Sequence, residues 1–226
     1  MRKLNCVWLL LFLFLSCHLS AQEKIRFGFR AGYSMATQYG ITLPDIPYTV
    51  DTSYRHGLTG GFLINIPITE SFSIQQELLY VQKGSKQDVA MTALPVETHT
   101  EYDLNYLEIP IVFRYNFVRL GQFKIYACSG FALSLLLNGE YRVDGVAEFG
   151  GVPIPFNESN KIEGLDTFDY AFLYGAGLDF ELFGKDCFFE YRFTIGWNML
   201  MMPTSEGGDP APLRNQDYIF TLGMYF

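Results

Sequence analysis

Apolar side chains recur at every second position in eight separate segments of this chain. In the first segment, Phe27 and Phe29 alternate with Arg26, Gly28 and Arg30. A period of two places successive side chains on opposite faces of a β-strand, so each segment has one oily face and one polar or small face. The eight segments are residues 25–35, 56–66, 72–83, 104–117, 123–137, 168–182, 187–199 and 217–226. Together they predict an all-β fold.

The connections between these segments alternate between short and long. The short ones are residues 67–71, 118–122 and 183–186, and the long ones are residues 37–55, 84–103, 138–167 and 200–216. Long structureless loops are uncommon in compact soluble domains. Their alternation with tight turns is typical of membrane barrels, which have short periplasmic turns and longer outer loops. We therefore expect an eight-stranded antiparallel up-and-down transmembrane β-barrel with short periplasmic turns and long extracellular loops, whose strands project beyond the bilayer on the loop side.

The bulk of the apolar faces indicates which side of the strands meets lipid. A soluble lipocalin-like barrel or a β-sandwich would also show alternation, with its apolar face inward. Aromatic residues make up 17% of this chain, and many lie on the apolar faces. The interior of an eight-stranded barrel is only just wide enough to be filled by side chains, so it cannot hold this set. The opposite face, rich in Gly, Ser, Thr and charges, fits a narrow polar interior, and closure avoids unsatisfied backbone groups in lipid.

The first 21 residues are typical of a secretory signal peptide. Arg2 and Lys3 precede an unbroken apolar run at residues 7–15, and Ala21 offers a small residue before a cut at Gln22. The run is too short for a spanning helix. The alternative is lipoprotein processing at Cys17, whose preceding residues fit that pattern poorly. We expect residues 1–21 to be cleaved and residues 22–226 to form the outer-membrane barrel domain.

Composition excludes several classes of protein and of site. A hydrophobic content of 49% excludes intrinsic disorder, and a formal net charge of −8 argues against binding of nucleic acid, whose phosphates require basic patches. After cleavage only Cys128 and Cys187 remain, without the spacing of a disulfide framework or a metal site. We expect both to be small apolar fillers, and we expect no cofactor.

Aromatic residues fall near both ends of the predicted strands. Threading the strands up and down from a periplasmic N-terminus predicts two girdles, which are the positions that aromatic rings favour at membrane interfaces. The turn-end girdle comprises Phe27, Phe72, Phe117, Phe123, Phe180, Phe189 and Phe226, and the loop-end girdle comprises Tyr33, Tyr80, Tyr170, Trp197 and Tyr218.

The polar faces predict a network of charges inside the barrel. The predicted inward-facing ionisable residues are Arg26, Arg30, Glu77, Lys83, Glu108, Arg114, Lys124, Asp169, Asp179, Glu181, Glu190, Arg192 and Asp217. With six cations against seven anions, these charges can pair, and unpaired charge in a narrow lumen would be costly. Because Tyr106 and Tyr126 also point inward, we expect a plug of ion pairs rather than a path for ions or protons. Gln76, Leu79 and Val81 depart from the alternation.

Several short sequences along the mature chain are typical of one family of proteins. They lie at residues 25–32, 78–84, 106–110, 176–177, 190–192 and 225–226. Through them the chain resembles the eight-stranded outer-membrane β-barrel family of porin-like and PorT-like proteins. That family includes an accessory component of a protein secretion system, and its porin label implies a pore that the crowded interior does not support. The alternating residues of the last strand also resemble the signal read by the outer-membrane assembly machinery, namely Tyr218, Phe220, Leu222, Met224 and Phe226.

The function predicted from the sequence is a non-enzymatic scaffold or interaction protein of the outer membrane. Binding residues concentrate on loops, and residues 150–156 and 43–48 combine proline with apolar residues. They could dock a protein partner or pack on their own rim. The first alternative function is a narrow channel for ions or small solutes. The second is a rim hydrolase using His56 or His99, although neither has a nucleophile in a recognisable motif.

Overall fold

The computed structural model describes residues 24–39, 48–91, 96–162, 167–197, 200–202 and 211–226. The predicted signal segment and residues 43–47 of the predicted first docking loop lie outside the described residues. None of the described residues forms a helix of the length and apolarity that a membrane crossing requires.

Ten antiparallel strands make up the described part of the chain. They are β1 (Arg26–Tyr39), β2 (Tyr48–Pro67), β3 (Phe72–Met91), β4 (Val96–Leu120), β5 (Phe123–Phe149), β6 (Val152–Lys161), β7 (Phe168–Leu182), β8 (Lys185–Gly196), β9 (Leu200–Met202) and β10 (Ala211–Tyr225). Eight of them form a closed ring in the order β1-β2-β3-β4-β5-β7-β8-β10, because β1 also pairs with β10. Within the described residues, β6 pairs only with β5, and β9 only with β10. The predicted eight-stranded up-and-down barrel is confirmed.

The register around the ring fixes the tilt of the strands. A path through direct cross-strand partners that starts at Arg26 returns to β1 at Ala36, ten residues further along the strand. For eight strands, this stagger corresponds to a tilt of about 40° from the barrel axis, and such a barrel has an interior that side chains fill. We call the end of the barrel at the short connections the turn end and the opposite end the loop end.

Four strands continue well past the limits that the sequence predicts. β2 and β3 each have 20 residues, β4 has 25 and β5 has 27. Pairing extends to Tyr48 opposite Met91 and to Val96 opposite Ala147. This corrects the strand limits, since much of residues 84–103 and 138–167 forms strands rather than loops. Beyond the membrane, water meets both faces, so no alternation of polarity marks these extensions in the sequence.

The extensions of β2, β3, β4 and β5, together with β6, form a five-stranded sheet, which we call the loop-end sheet. β5 and β6 form a hairpin that turns at Gly150 and Gly151, between the paired residues Phe149 and Val152. Both glycines have positive φ angles, 59° and 83°. Two consecutive residues in this region form the turn that best matches the twist of a hairpin, and glycine adopts it without strain. The predicted docking segment 150–156 therefore forms this turn and the first half of β6.

Gln76, a polar residue on the outer face of the barrel, compensates for a backbone hydrogen bond that the sheet lacks at Pro110. Pro110 lies within β4 and has no N–H to donate to the neighbouring strand. The side-chain amide of Gln76, on β3, donates to the carbonyl oxygens of Pro110 (2.9 Å) and of Glu77 (3.3 Å). In lipid an unsatisfied backbone carbonyl would cost several kcal/mol. This contact explains why a glutamine interrupts the oily face of β3.

Candidate functional site

Inward-facing polar side chains fill the lumen near the turn end, where three arginines meet three acids. Arg30 contacts Glu77 and Glu190, each at 2.8 Å. Arg192 contacts the same two carboxylates, with a two-pronged contact to Glu77 at 2.9 and 3.0 Å and a contact to Glu190 at 2.7 Å. These four side chains are almost completely buried and close a ring of ion pairs. Paired guanidinium–carboxylate contacts of this kind are among the strongest hydrogen bonds in proteins.

The third arginine ties this ring to the wall of the barrel. Arg114 contacts Asp179 at 2.6 Å, is hydrogen-bonded to the hydroxyl of Tyr225, and donates to Gln75 at 3.1 Å. Its guanidinium carbon lies 3.7 Å from the ring centroid of Tyr126. The Tyr126 hydroxyl in turn donates to Glu190 at 2.9 Å. We call this set the arginine cluster, consisting of Arg30, Arg114, Arg192, Glu77, Asp179 and Glu190.

A second set of charges lies nearer the loop end and contains one cation. The ammonium group of Lys83 lies 2.6 Å from Glu108 and 2.9 Å from Asp217. Ser134 donates to Glu108 at 2.9 Å. Asp169, which also acts electrostatically on Lys83, accepts a hydrogen bond from Asn215 at 3.1 Å. We call Lys83, Glu108, Asp169 and Asp217 the lysine cluster.

Apolar side chains separate the two clusters. The inward-facing residues of β3 are, in order, Glu77, Leu79, Val81 and Lys83. Leu79 and Val81 therefore lie between Glu77 of the arginine cluster and Lys83 of the lysine cluster. On β10, Ile219 lies between Thr221, which is hydrogen-bonded to Arg30, and Asp217. We call this zone the apolar layer, formed by Leu79, Val81, Ala132, Ala171, Leu173 and Ile219. The lumen is thus polar, apolar and polar along its axis.

The structure leaves three of the predicted network residues at the turn-end rim. Lys124 is half-buried and Glu181 is exposed, and neither joins an ion pair within the described residues. Arg26 contacts Asp186 at 3.5 Å and donates to Asn65 at 3.1 Å. These residues lie where the lumen opens to water, so pairing is not required there.

Two aromatic residues that the sequence analysis did not assign to the lumen close its turn end. Phe188 and Tyr225 are buried, with ring centroids 5.3 Å apart. Strand parity could have identified them, because Phe188 lies two residues before Glu190 on the inward face of β8. The predicted inward-facing Tyr106 and Tyr126 are both fully buried in the lumen. Cys128 is also buried there, and Cys187 is half-buried.

The predicted girdle residues all turn toward the outer surface of the barrel. Trp197, at 72%, and Phe226, at 69%, are among the most exposed of them. The Phe226 backbone N–H donates to the carbonyl of Phe27 at 2.8 Å, which places these two residues next to each other at the turn end. The alternating residues of the predicted assembly signal lie on the outer side of β10, the strand that closes the ring.

A groove of about 980 Å³ crosses the loop-end sheet. One row of directly opposed residues runs through it, consisting of Asp51, Asp88, His99, Asp144 and Asn157 on β2 to β6 in that order. His99 Nδ1 lies 2.6 Å from the Asp88 carboxylate. On the same face, the lining includes the apolar side chains of Ala90, Val146 and Pro155 together with Thr49 and Glu97.

The two histidines proposed for a rim hydrolase contact other groups. His56 is hydrogen-bonded to the Tyr33 hydroxyl, and the two rings stack at a centroid distance of 5.6 Å. His99 is bound to Asp88. Among the described residues, no group of three or more His, Cys, Asp or Glu side chains is placed to hold a metal ion.

Comparison with known proteins identifies the family. Residues 20–200 match the model of the outer membrane protein beta-barrel domain. The chain belongs to this family. It is therefore a β-barrel protein of the outer membrane. No curated protein matches the chain.

Several solved outer-membrane structures are similar to this barrel. OprG from Pseudomonas aeruginosa is 11% identical with a TM-score of 0.47, and the match covers 89% of this chain and 95% of that one. Neisserial surface protein A is 10% identical with a TM-score of 0.43, covering 90% and 100%. The outer membrane protease OmpT from Escherichia coli is 11% identical with a TM-score of 0.48, covering 91% and 97%.

Proposed function

We propose that this protein is a non-enzymatic interaction protein of the cell surface, in which a plugged barrel anchors the loop-end sheet in the outer membrane. The observation that carries this proposal is the layered lumen. The buried arginine cluster, the apolar layer and the lysine cluster follow one another along the barrel axis.

The layered lumen opposes the passage of ions. An ion moving along the axis would have to separate ion pairs such as Arg30 with Glu77, whose side chains have no exposed surface. It would then have to shed its water beside Leu79 and Ile219. Transfer of an unpaired charge into such surroundings is strongly unfavourable. These side chains support a plug over a narrow channel.

The loop-end sheet supports an interaction role. Rigid scaffolds commonly present binding residues at their ends, and here the strands of the barrel themselves continue into a sheet with an open groove. Among the described residues, His56 contacts Tyr33 and His99 contacts Asp88, and neither imidazole is paired with a serine or cysteine nucleophile. They support a protein without a hydrolytic site.

Two further partners belong to the proposal. The outward-facing aromatic residues at the two ends would contact outer-membrane lipid at its interfaces. The outer side of β10, together with the adjoining Phe226, would be recognised by the assembly machinery during insertion. A PorT-like role in a secretion system is the alternative that the family resemblance implies, and it would require a stable complex with other envelope proteins.

Conductance in planar bilayers tests the plug. We expect purified wild-type protein to be silent, and reproducible conductance steps would contradict the filled lumen. The variant Leu79→Gly with Val81→Gly removes two large side chains from the apolar layer. Conductance in that variant alone would locate the barrier in the layer.

Chemical cross-linking on intact cells tests the interaction role. The matched variant lacks residues 141–160, which removes most of the β5–β6 hairpin and keeps the eight barrel strands. We expect a cross-linked surface partner with the wild type and not with this variant. Complexes that form equally with both proteins would instead favour the secretion-system alternative, with contacts elsewhere on the barrel.

A further inference from the structure

We infer that the groove on the loop-end sheet binds an extended, basic peptide segment, with lysine or arginine side chains alternating with apolar ones. This inference rests on the proposed function and names the partner chemistry of its binding surface. It is carried by the size of the groove, by its charge and by its apolar walls.

The dimensions of the groove suit a short peptide. The groove crosses five strands, and four spacings of about 4.8 Å give a length of about 19 Å. An extended peptide rises about 3.3 Å per residue, so about six residues would span it. A volume of about 980 Å³ lies at the upper end of the range for ligand sites in proteins.

The charge of the groove requires a cationic ligand. Asp51 lies directly opposite Asp88 across β2 and β3, and like charges in this position destabilise a sheet. His99 contacts Asp88, and Asp144 lies directly opposite His99 on its other side. Glu97 adds a fourth carboxylate, and no lysine or arginine is among the described residues that line the groove. A ligand cation between Asp51 and Asp88 would relieve their repulsion.

The apolar walls favour a peptide over a simple cation. Val146 and Pro155 lie two residues from Asp144 and Asn157 on their strands, so their side chains share the face of the acidic row and line the groove together with Ala90. Aliphatic side chains placed between the basic ones would pack on these surfaces. A polyamine has charges but no such branches, and it would leave the walls in water.

The edge of β6 makes strand addition the weaker mode of binding. Within the described residues, β6 pairs with β5 alone. Pro153 and Pro155 have no backbone N–H, and prolines on an edge strand oppose pairing with another chain. The ligand is therefore expected to lie in the groove, where its side chains meet the carboxylates, rather than to extend the sheet.

The test is equilibrium binding to the full-length protein in lipid nanodiscs, measured by fluorescence anisotropy. The probe is a labelled peptide of alternating lysine and valine, and the comparison probes are a glutamate–valine peptide and spermine. The groove variant combines Asp51→Asn, Asp88→Asn and Asp144→Asn. The matched variant combines Glu140→Gln, Glu148→Gln and Glu158→Gln, which remove the same charge from the loop-end sheet outside the groove. A heat-dependent shift on gels verifies that each variant folds.

We expect the groove variant to bind the basic peptide about ten-fold more weakly or worse, since each exposed ion pair typically contributes a two- to five-fold effect. We expect the matched variant to lose less than about three-fold, through long-range charge alone. Val146→Ala should weaken binding of the peptide about three-fold, because apolar contact is lost, and leave binding of spermine unchanged. The glutamate–valine peptide should not bind.

Three results would overturn the inference. Equal losses in the groove variant and the matched variant would show attraction to net charge without a site. Equal binding of the acidic peptide would refute the charge argument. Spermine binding as tightly as the peptide, with no effect of Val146→Ala, would make the groove a polyamine site. If the wild-type protein does not conduct ions and the basic peptide does not bind, only this inference is refuted. If the protein conducts ions and the peptide binds, only the plug is refuted.

Discussion

The arginine cluster and the lysine cluster occupy the same lumen and differ in charge balance. In the arginine cluster, three guanidinium groups face three carboxylates. In the lysine cluster, the single ammonium group of Lys83 faces three carboxyl groups. Guanidinium forks can satisfy two acids with fixed geometry, whereas an ammonium is a compact point charge. The arginine cluster thus pairs each of its carboxylates with a guanidinium group, whereas in the lysine cluster one ammonium group is shared by Glu108 and Asp217.

The largest effect is expected from breaking the arginine cluster. Glu77→Gln removes a carboxylate that both Arg30 and Arg192 contact, leaving two buried cations with only Glu190 as a shared partner. Removing one member of a buried ion pair typically costs about 3–5 kcal/mol. The free energy of unfolding in urea, measured in lipid vesicles, should fall by that amount. A loss below about 1 kcal/mol would show that water enters the cluster and replaces the missing acid.

A smaller effect is expected from the lysine cluster. Lys83→Met removes the ammonium group that contacts both Glu108 and Asp217. We expect the free energy of unfolding to fall by about 2–3 kcal/mol, which is within the typical range for a lost hydrogen bond to a charged group. Unfolding of the wild type and the variant in urea, measured in lipid vesicles, gives this difference. A loss larger than that of Glu77→Gln would reverse the expected order of the two clusters.

A substitution next to Glu77 that changes no charge shows how much stability is lost when β3 is disturbed and its ion pairs are kept. Gln76→Leu places a more oily side chain on the lipid face, yet it removes the amide that donates to the carbonyls of Pro110 and Glu77. We expect a loss of about 1–2 kcal/mol in unfolding free energy, the typical cost of leaving a buried acceptor unsatisfied. Increased stability would show that the contact with lipid outweighs the repair of the sheet.

The smallest expected effect is the coupling free energy between the two cluster changes. Glu77 and Lys83 lie six residues apart on β3, about 20 Å along an extended strand, with the apolar layer between them. Changes at separated sites usually add to within about 0.5 kcal/mol. The double variant should therefore lose the sum of the single losses. A larger deviation would show that the two clusters act as one network.

Strand alternation was enough to predict the wall of the barrel. The period of two places Arg30, Glu77 and Lys83 inward, and Phe27 and Phe62 outward, as the structure has them. The same rule places Phe188 in the lumen, but the sequence analysis left it unassigned because the predicted lumen network contained only ionisable residues and two tyrosines. Pattern alone could not show which charges meet, because contacts across the lumen depend on the stagger of the ring.

The sequence was least informative where the two faces of a strand have the same surroundings. Leu79 and Val81 read as breaks in the alternation, because an apolar layer inside a barrel gives the inward face the same character as the lipid face. The strands of the loop-end sheet were predicted as loops for the opposite reason, since residues such as Asp88 and Asp144 have neighbours that are also in water. Alternation reports a contrast between two environments, and it disappears when both sides are alike.

The continuity of β2 to β5 from the bilayer into the loop-end sheet has a mechanical consequence. Pairing resumes beyond the register irregularities at Tyr54/Thr59 and Asn105/Tyr106, so the number of residues in these strands sets the height of the loop-end sheet above the barrel. Inserting or deleting a pair of residues in all four strands would raise or lower the loop-end sheet by about 5 Å, given a rise of about 3.3 Å per residue and a tilted axis. A ligand held on the sheet would move by the same distance.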